Sequence, residues 1–147
     1  MKCALHIHQK LLYACLGGRT AEAKRLIAQG APVDWQKRDG WAPLHGASAY
    51  GHTEIVMLLL ENKCNLNVTD NGGDTPLIYA AWHNKMDTVR ALVEAGCDIT
   101  IRGSEKRTAA ERANIDRGTG PIAEYLTNEA PRVQVQVHST HRARAAP

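Results

Sequence analysis

The sequence predicts an all-α fold, a solenoid of stacked helix-turn-helix units, and three observations predict it. Sliding the chain against itself by 33 residues superimposes its apolar positions column by column. Within each unit those positions recur at three- and four-residue spacing in two short bursts, the mark of two amphipathic helices. Glycines and prolines fall between the bursts, where helices end and begin.

The columns carry the prediction in detail. At the 33-residue offset the run Leu58 to Glu61 falls on Ala91 to Glu94. Leu11, Leu44 and Leu77 open successive units, followed by Ala14, Ala47, Ala80 and Ala113. Val56, Val89 and Ile122 coincide, as do Leu26, Leu59, Leu92 and Tyr125, then Ile27, Leu60, Val93 and Leu126. Val33, Leu66 and Ile99 close the unit. Gly18 and Gly51 end the first helix and Gly30 and Gly96 the second, since glycine reaches the left-handed conformation of a helix stop. Pro43 and Pro76 suit a first helical turn, and Thr75 can cap the second of these. Inner helices are predicted near Pro43 to Tyr50 and Pro76 to His83, and outer ones near Thr53 to Glu61 and Met86 to Ala95.

A chain of 147 residues with 44% apolar content suits one domain. The formal charge of +3 is small, and residues 128–147 supply most of it through Arg132, Arg142 and Arg144 against Glu129. Charge therefore gives little support to nucleic-acid binding. No apolar run is long enough to span a bilayer, and Met1 to Lys10 has no apolar signal-peptide core. The chain reads as an intracellular, cytoplasmic or nuclear monomer with no membrane partner. Cys3, Cys15, Cys64 and Cys97 lack the paired close spacing of a zinc site and are expected to remain thiols.

The segment Asp39-Gly-Trp-Ala-Pro-Leu-His45, then Ala47, Gly51-His52 and the leucine run Leu58 to Leu60, resembles the ankyrin repeat. Asp70-Asn-Gly-Gly-Asp-Thr-Pro-Leu77 is a second strong copy. The resemblance covers about residues 9–127 and implies four repeats, near 5–37, 38–70, 71–103 and 104–127, the outer two diverging as end caps. The first lacks the Thr-Pro opening; the fourth has Lys106 for the turn glycine and Ala109-Ala110 for Pro-Leu. Gly120 and Pro121 restart its second helix, and Ala42 in place of a capping Thr costs the second repeat about 1 kcal/mol. Residues 128–147 are expected to form a disordered basic tail, with too little apolar area to offset its ordering entropy.

No chemistry-bearing constellation emerges. His45 and His52 stand where the ankyrin motif uses His for structural hydrogen bonds, and His6 and His8, two apart, would diverge on a helix with no carboxylate or thiolate cluster beside them. Cys64 and Cys97 share a column in successive repeats, so their spacing of about 8–10 Å exceeds disulfide reach. Gly17-Gly18 and Gly72-Gly73 belong to repeat turns, not to a phosphate loop. The expected set is therefore no catalytic residue, no metal and no cofactor.

The resemblance implies that partners are taken on a concave surface built from the tips of the inter-repeat loops and the exposed side of the first helices. The tips contribute Arg38, Asp39, Trp41, Asn71, Asp74, Ser104, Glu105 and Arg107; the first helices contribute Leu16, Ala49, Tyr50, Trp82, His83, Ile115 and Asp116. Trp41 shares a column with Asp74 and Arg107, so that column faces water, whereas Trp35 shares one with Val68 and Ile101 and is expected to pack along the loops. Exposed Trp and Tyr in a groove are usual interface anchors. The leading expectation is a module binding one protein partner as adaptor, assembly subunit or inhibitor; the alternative is a nucleic-acid-associated protein tethered by the basic tail. Asn67 occupies the loop position where ankyrin proteins can be hydroxylated, although Leu66-Asn67-Val68 departs from the usual Val-Asn-Ala context.

Overall fold

The computed structural model describes residues 6–113 and 120–145, the last eight by backbone alone. Inner helices α1 (Ile7–Leu16), α3 (Pro43–Ala49), α5 (Pro76–Trp82) and α7 (Ala109–Ala113) stack in one layer, each on the next. Outer helices α2 (Thr20–Ala28), α4 (Thr53–Glu61), α6 (Met86–Glu94) and α8 (Pro121–Glu124) form a second layer, antiparallel to the first. The described residues contain no strand, and both central inner helices begin on their predicted prolines.

The core lies between the layers. Leu11, Leu44, Leu77, Val56, Val89, Leu59 and Leu92 are all at or near complete burial, as their columns require. Each fully buried aliphatic side chain stabilises by roughly 1.5–3 kcal/mol. Ser48 breaks the pattern: its column holds Cys15 and Ala81, and its buried Oγ has no hydrogen-bond partner among the described residues. Ser48→Ala is accordingly expected to raise the unfolding free energy by about 1 kcal/mol, because it removes an uncompensated desolvation. A urea titration showing a lower midpoint for the variant would contradict this.

Backbone conformation repeats as strictly as the core. All nine described residues of positive φ fall in three columns at 33-residue spacing: Gly18, Gly51 and Asn84; Gly30, Lys63 and Gly96; Gly40, Gly73 and Lys106. The first column turns inner into outer helix, the second ends the outer helix, and the third closes the loop tip. Three times a non-glycine residue accepts the left-handed conformation, which favours glycine sterically. Every tip is closed by the same two bonds: Lys37 N–H to Trp41 O and Gly40 N–H to Lys37 O recur as Asp70 to Asp74 and Gly73 to Asp70, then as Gly103 to Arg107 and Lys106 to Gly103.

The C-terminal segment corrects the sequence-based expectation of a disordered tail over residues 128–147. After α8 a π-helical turn, Tyr125–Glu129, leads into α9 (Ala130–Ala145). Pro131 accounts for the turn: it has no N–H to give to the fourth residue back, and its ring crowds that carbonyl. The Ala130 N–H accordingly reaches Tyr125 O, five residues back. Val133, Val135 and Val137 alternate as in a strand, yet on a helix Ala130, Val133, Gln134 and Val137 share one side, and these are buried or half-buried while Val135 is exposed. That side lies on α6, with Gln134 Nε2 donating to Cys97 O.

Candidate functional site

The inner helices and loop tips form one continuous face. Trp41 enters it half-buried from the tip preceding α3, and its indole N–H donates to the Tyr79 hydroxyl at 3.3 Å, the two rings meeting edge to face at 5.0 Å. The Tyr79 hydroxyl donates in turn to Asp70 Oδ2 at 2.6 Å. Burial first, and then that donation, push the Tyr79 phenol up to about 12, so it remains a donor at neutral pH. Asp70 Oδ1 accepts the backbone N–H groups of Gly72 and Asp74, which fixes the second tip.

The aromatic strip continues across the face. Tyr79 lies 6.2 Å from Trp82, and Trp82 stacks at 5.2 Å on His83. The Arg112 guanidinium sits 4.1 Å over the Trp82 ring and pairs with Glu105, which also holds Arg107. Trp82 is still 41% exposed and Tyr50 58% exposed, high values for such large rings. Trp41, Ala49, Tyr50, His83 and Lys85 line a cleft of about 190 Å3 between neighbouring repeats.

Not every predicted site residue is free to meet a partner. Asn71 Nδ2 donates to Arg38 O and its N–H to Asp39 O, while Asp74 accepts from the backbone N–H and hydroxyl of Ser104. Asn71, Asp74 and Ser104 thus stitch successive tips together. Asp39 pairs with Lys37 at 2.8 Å, whereas Arg38 is exposed with no carboxylate partner among the described residues. Leu16 lodges against Gly46 of the next inner helix, and Ala49 is buried at the cleft edge. Ile115 and Asp116 lie outside the described residues. Tyr79, Lys85 and Arg112 were not among the predicted positions; the signal for two of them is the column Gly46, Tyr79, Arg112, as variable in chemistry as that of Trp41.

His45 and His52 act as braces. His45 Nδ1 accepts the N–H of the N-cap residue Ala42 at 3.1 Å, whereas in α5 the N-cap Thr75 hydroxyl accepts the Ile78 N–H, and the His45 Nε2–H donates to Asp74 O at 2.9 Å. Asp74 O can only accept, so the tautomer is fixed. His52 Nε2 bonds Leu16 O at 3.1 Å across Gly18. His6 precedes α1, and its ring stacks on His8 at 5.3 Å instead of diverging; His8 in turn meets Trp35 at 4.3 Å. Among the described residues no three potential ligands converge on a metal site. Cys15, Cys64 and Cys97 are buried thiols, pushed by that burial up to about 12 and so poor nucleophiles. Asn67 Oδ1 accepts the Asp98 N–H at 2.7 Å, as Asp34 does for Asn65 one repeat earlier.

Burial holds the His45 pKa below its ordinary value, opposed in part by the bond to Asp74. The unfolded chain then binds a proton near pH 6.5 that the folded chain refuses until lower pH. Stability is expected to be flat above about pH 7 and to fall as pH drops below about 6.5, by at most about 1.4 kcal/mol per unit from this one group. Urea unfolding at pH 7.5, 6.5 and 5.5 measures the slope, and His45→Gln should flatten it; an unchanged slope in the variant assigns the effect elsewhere.

The ankyrin repeats family model, three copies, matches residues 11–103. That span takes in most of α1, all of α2 to α6 and the first two tips, and it ends where the third tip begins. The chain belongs to the ankyrin repeat family. The ankyrin relatives include the ankyrin repeat-containing protein P1E11.10 of Schizosaccharomyces pombe, 25% identical over 77% of this chain and 54% of its own length. Protein phosphatase 1 regulatory subunit 12A of Mus musculus is 34% identical over 75% of this chain and 10% of its own. The 26S proteasome non-ATPase regulatory subunit 10 of Dictyostelium discoideum is 39% identical over 55% and 36%. The matched region spans about half the length of the first relative and less of the other two. Ankyrin repeats are protein–protein interaction modules, and no helix among the described residues is long and apolar enough to cross a membrane.

Proposed function

We propose that this chain docks a protein partner on the face formed by its loop tips and inner helices, and that its role as adaptor, assembly subunit or inhibitor is non-catalytic. The observation that carries the reading is the aromatic strip Trp41, Tyr79, Trp82 with Tyr50 beside it, in which Trp82 and Tyr50 are exposed and Trp41 and Tyr79 half-buried. Exposed aromatic rings in a rigid groove bury much apolar area on contact and lose little entropy, which makes them effective anchors. His45 and His52 brace backbone and the described thiols are buried, so these groups serve the fold. Two relatives bear the name regulatory subunit, which agrees with a role in directing another protein's activity.

Trp82→Ala tests the reading. Its removal forfeits the Arg112 contact, worth about 0.5–1 kcal/mol at an exposed site, and leaves the helical signal intact. Affinity for a partner captured by the wild-type chain should fall by about 2 kcal/mol or more, roughly thirtyfold. Met57→Ala, on the exposed outer side of α4, should leave affinity unchanged. If Trp82→Ala binds normally and Met57→Ala does not, the docking face is the opposite one.

A further inference from the structure

Among the described residues of the face proposed for docking, the charged side chains left without a partner are of one sign. Its described acidic side chains on the tips and inner helices are already engaged: Asp39 by Lys37, Asp70 by Tyr79 and two backbone N–H groups, Asp74 by Ser104. Glu105 is held by Arg107 and Arg112, and Glu111 by Arg102 and the Thr108 N–H. Lys85, by contrast, makes no side-chain hydrogen bond or ion pair among the described residues, and neither does the Arg38 guanidinium.

Lys85 is also the more exactly placed of the two. It occupies the column of Arg19 and His52, whose side chains are bonded to Tyr13 O and Leu16 O. The Lys85 stem crosses Gly51, where a built Cβ would come within 2.6 Å of its Cδ, so the aliphatic part is packed and only the ammonium remains uncommitted. It lines the cleft beside Trp41, Tyr50 and His83, a set with two aromatic rings, two basic residues and, among the described residues, no acid. His83 registers the same field: burial first, and then the Lys85 charge, hold its pKa below the ordinary value.

We infer that the partner presents an acidic segment, an apolar side chain entering the cleft between Trp41 and Tyr50 while a neighbouring carboxylate pairs with Lys85. This deepens the docking reading and rests on it. A cation whose stem is already fixed loses less entropy on pairing than a free lysine, and a cleft with no acid of its own repels basic partners.

The test uses the full chain and a random displayed 12-residue peptide library as probe. Wild-type protein should enrich peptides with Asp or Glu beside a large apolar residue. Lys85→Met keeps the stem over Gly51 and removes the charge; it should weaken an enriched peptide about tenfold, and Lys85→Glu more, with circular dichroism confirming the fold of each. Replacing the peptide's acid by Lys should restore binding to Lys85→Glu. A library that enriches no acidic sequence, or a peptide that depends on Trp82 but binds Lys85→Glu as well as wild type, overturns the inference and leaves the docking face standing. Enriched peptides indifferent to both Trp82→Ala and Tyr50→Ala overturn the docking face itself.

Discussion

Leu59→Ala is expected to lower the unfolding free energy by about 2 to 5 kcal/mol, among the largest effects of any single change in the chain. Leu59 is completely buried, at the centre of the second repeat, with Leu26 and Leu92 as its equivalents in the repeats on either side. The substitution removes buried methyl groups and leaves a cavity that the stacked helices cannot collapse to fill, because α4 is held by α2 and α6 at once. In a solenoid, stability is a sum of repeat and interface terms, so a defect in a central repeat weakens two interfaces. A chain of this size should lose about 2–4 °C in melting temperature per kcal/mol. Met57→Ala, two residues earlier and exposed, should stay within about 0.5 kcal/mol of wild type. Equal melts for the two variants would mean that the α4 burial pattern is misassigned.

Much of this architecture is legible in the sequence because the repeat supplies several independent copies of each decision. A leucine at one position is ambiguous; Leu26, Leu59 and Leu92 in register are not. The same redundancy locates the turns, and the structure places all the predicted helix-ending glycines at positive φ. Lys63, Asn84 and Lys106 adopt that conformation too, the two lysines following their columns and not their own preference, while Asn tolerates it better than most residues. The C-terminal helix lies beyond the repeat, where one copy of the pattern exists, and there the small apolar area suggested a disordered tail. Pro131 and the π-helical turn before it set a phase that periodicity alone does not reveal.

The site was legible as a face and less so residue by residue. Variable columns mark positions free of the core, which found Trp41, Trp82 and Tyr50. They do not distinguish a side chain left open from one bonded to the next loop. Asn71, Asp74 and Ser104 are polar and exposed or half-exposed, yet each is engaged with a residue about one repeat away. Tyr79 was not among the predicted positions, yet its hydroxyl joins the face to the tip through Asp70.

The stitching between tips has a consequence of similar size to the core. Gly40→Ala is expected to cost about 2 to 5 kcal/mol, from two sources that Gly30→Ala separates. Both glycines are left-handed, at φ of 88° and 91°, and a side chain there costs about 1–2 kcal/mol in either place, offset slightly by a stiffer unfolded chain. Beyond that the two differ. A Cβ on Gly30 meets nothing within 4 Å, while one on Gly40 would lie 2.6 Å from Asn71 N and 2.7 Å from Asp70 Cα, backbone atoms of the next tip. Those atoms cannot swing aside as a flexible side chain would, so the tips must part, at a further cost of about 1–3 kcal/mol. Parting them breaks the Asn71 N–H bond to Asp39 O and the Asn71 side-chain bond to Arg38 O. Amide exchange at Asn71 should therefore accelerate in Gly40→Ala and stay slow in Gly30→Ala, and the first variant should melt well below the second. Coincident melts would show that successive tips are not rigidly stacked, and the fixed geometry that holds Trp41 and Arg38 on the proposed docking face would go with them.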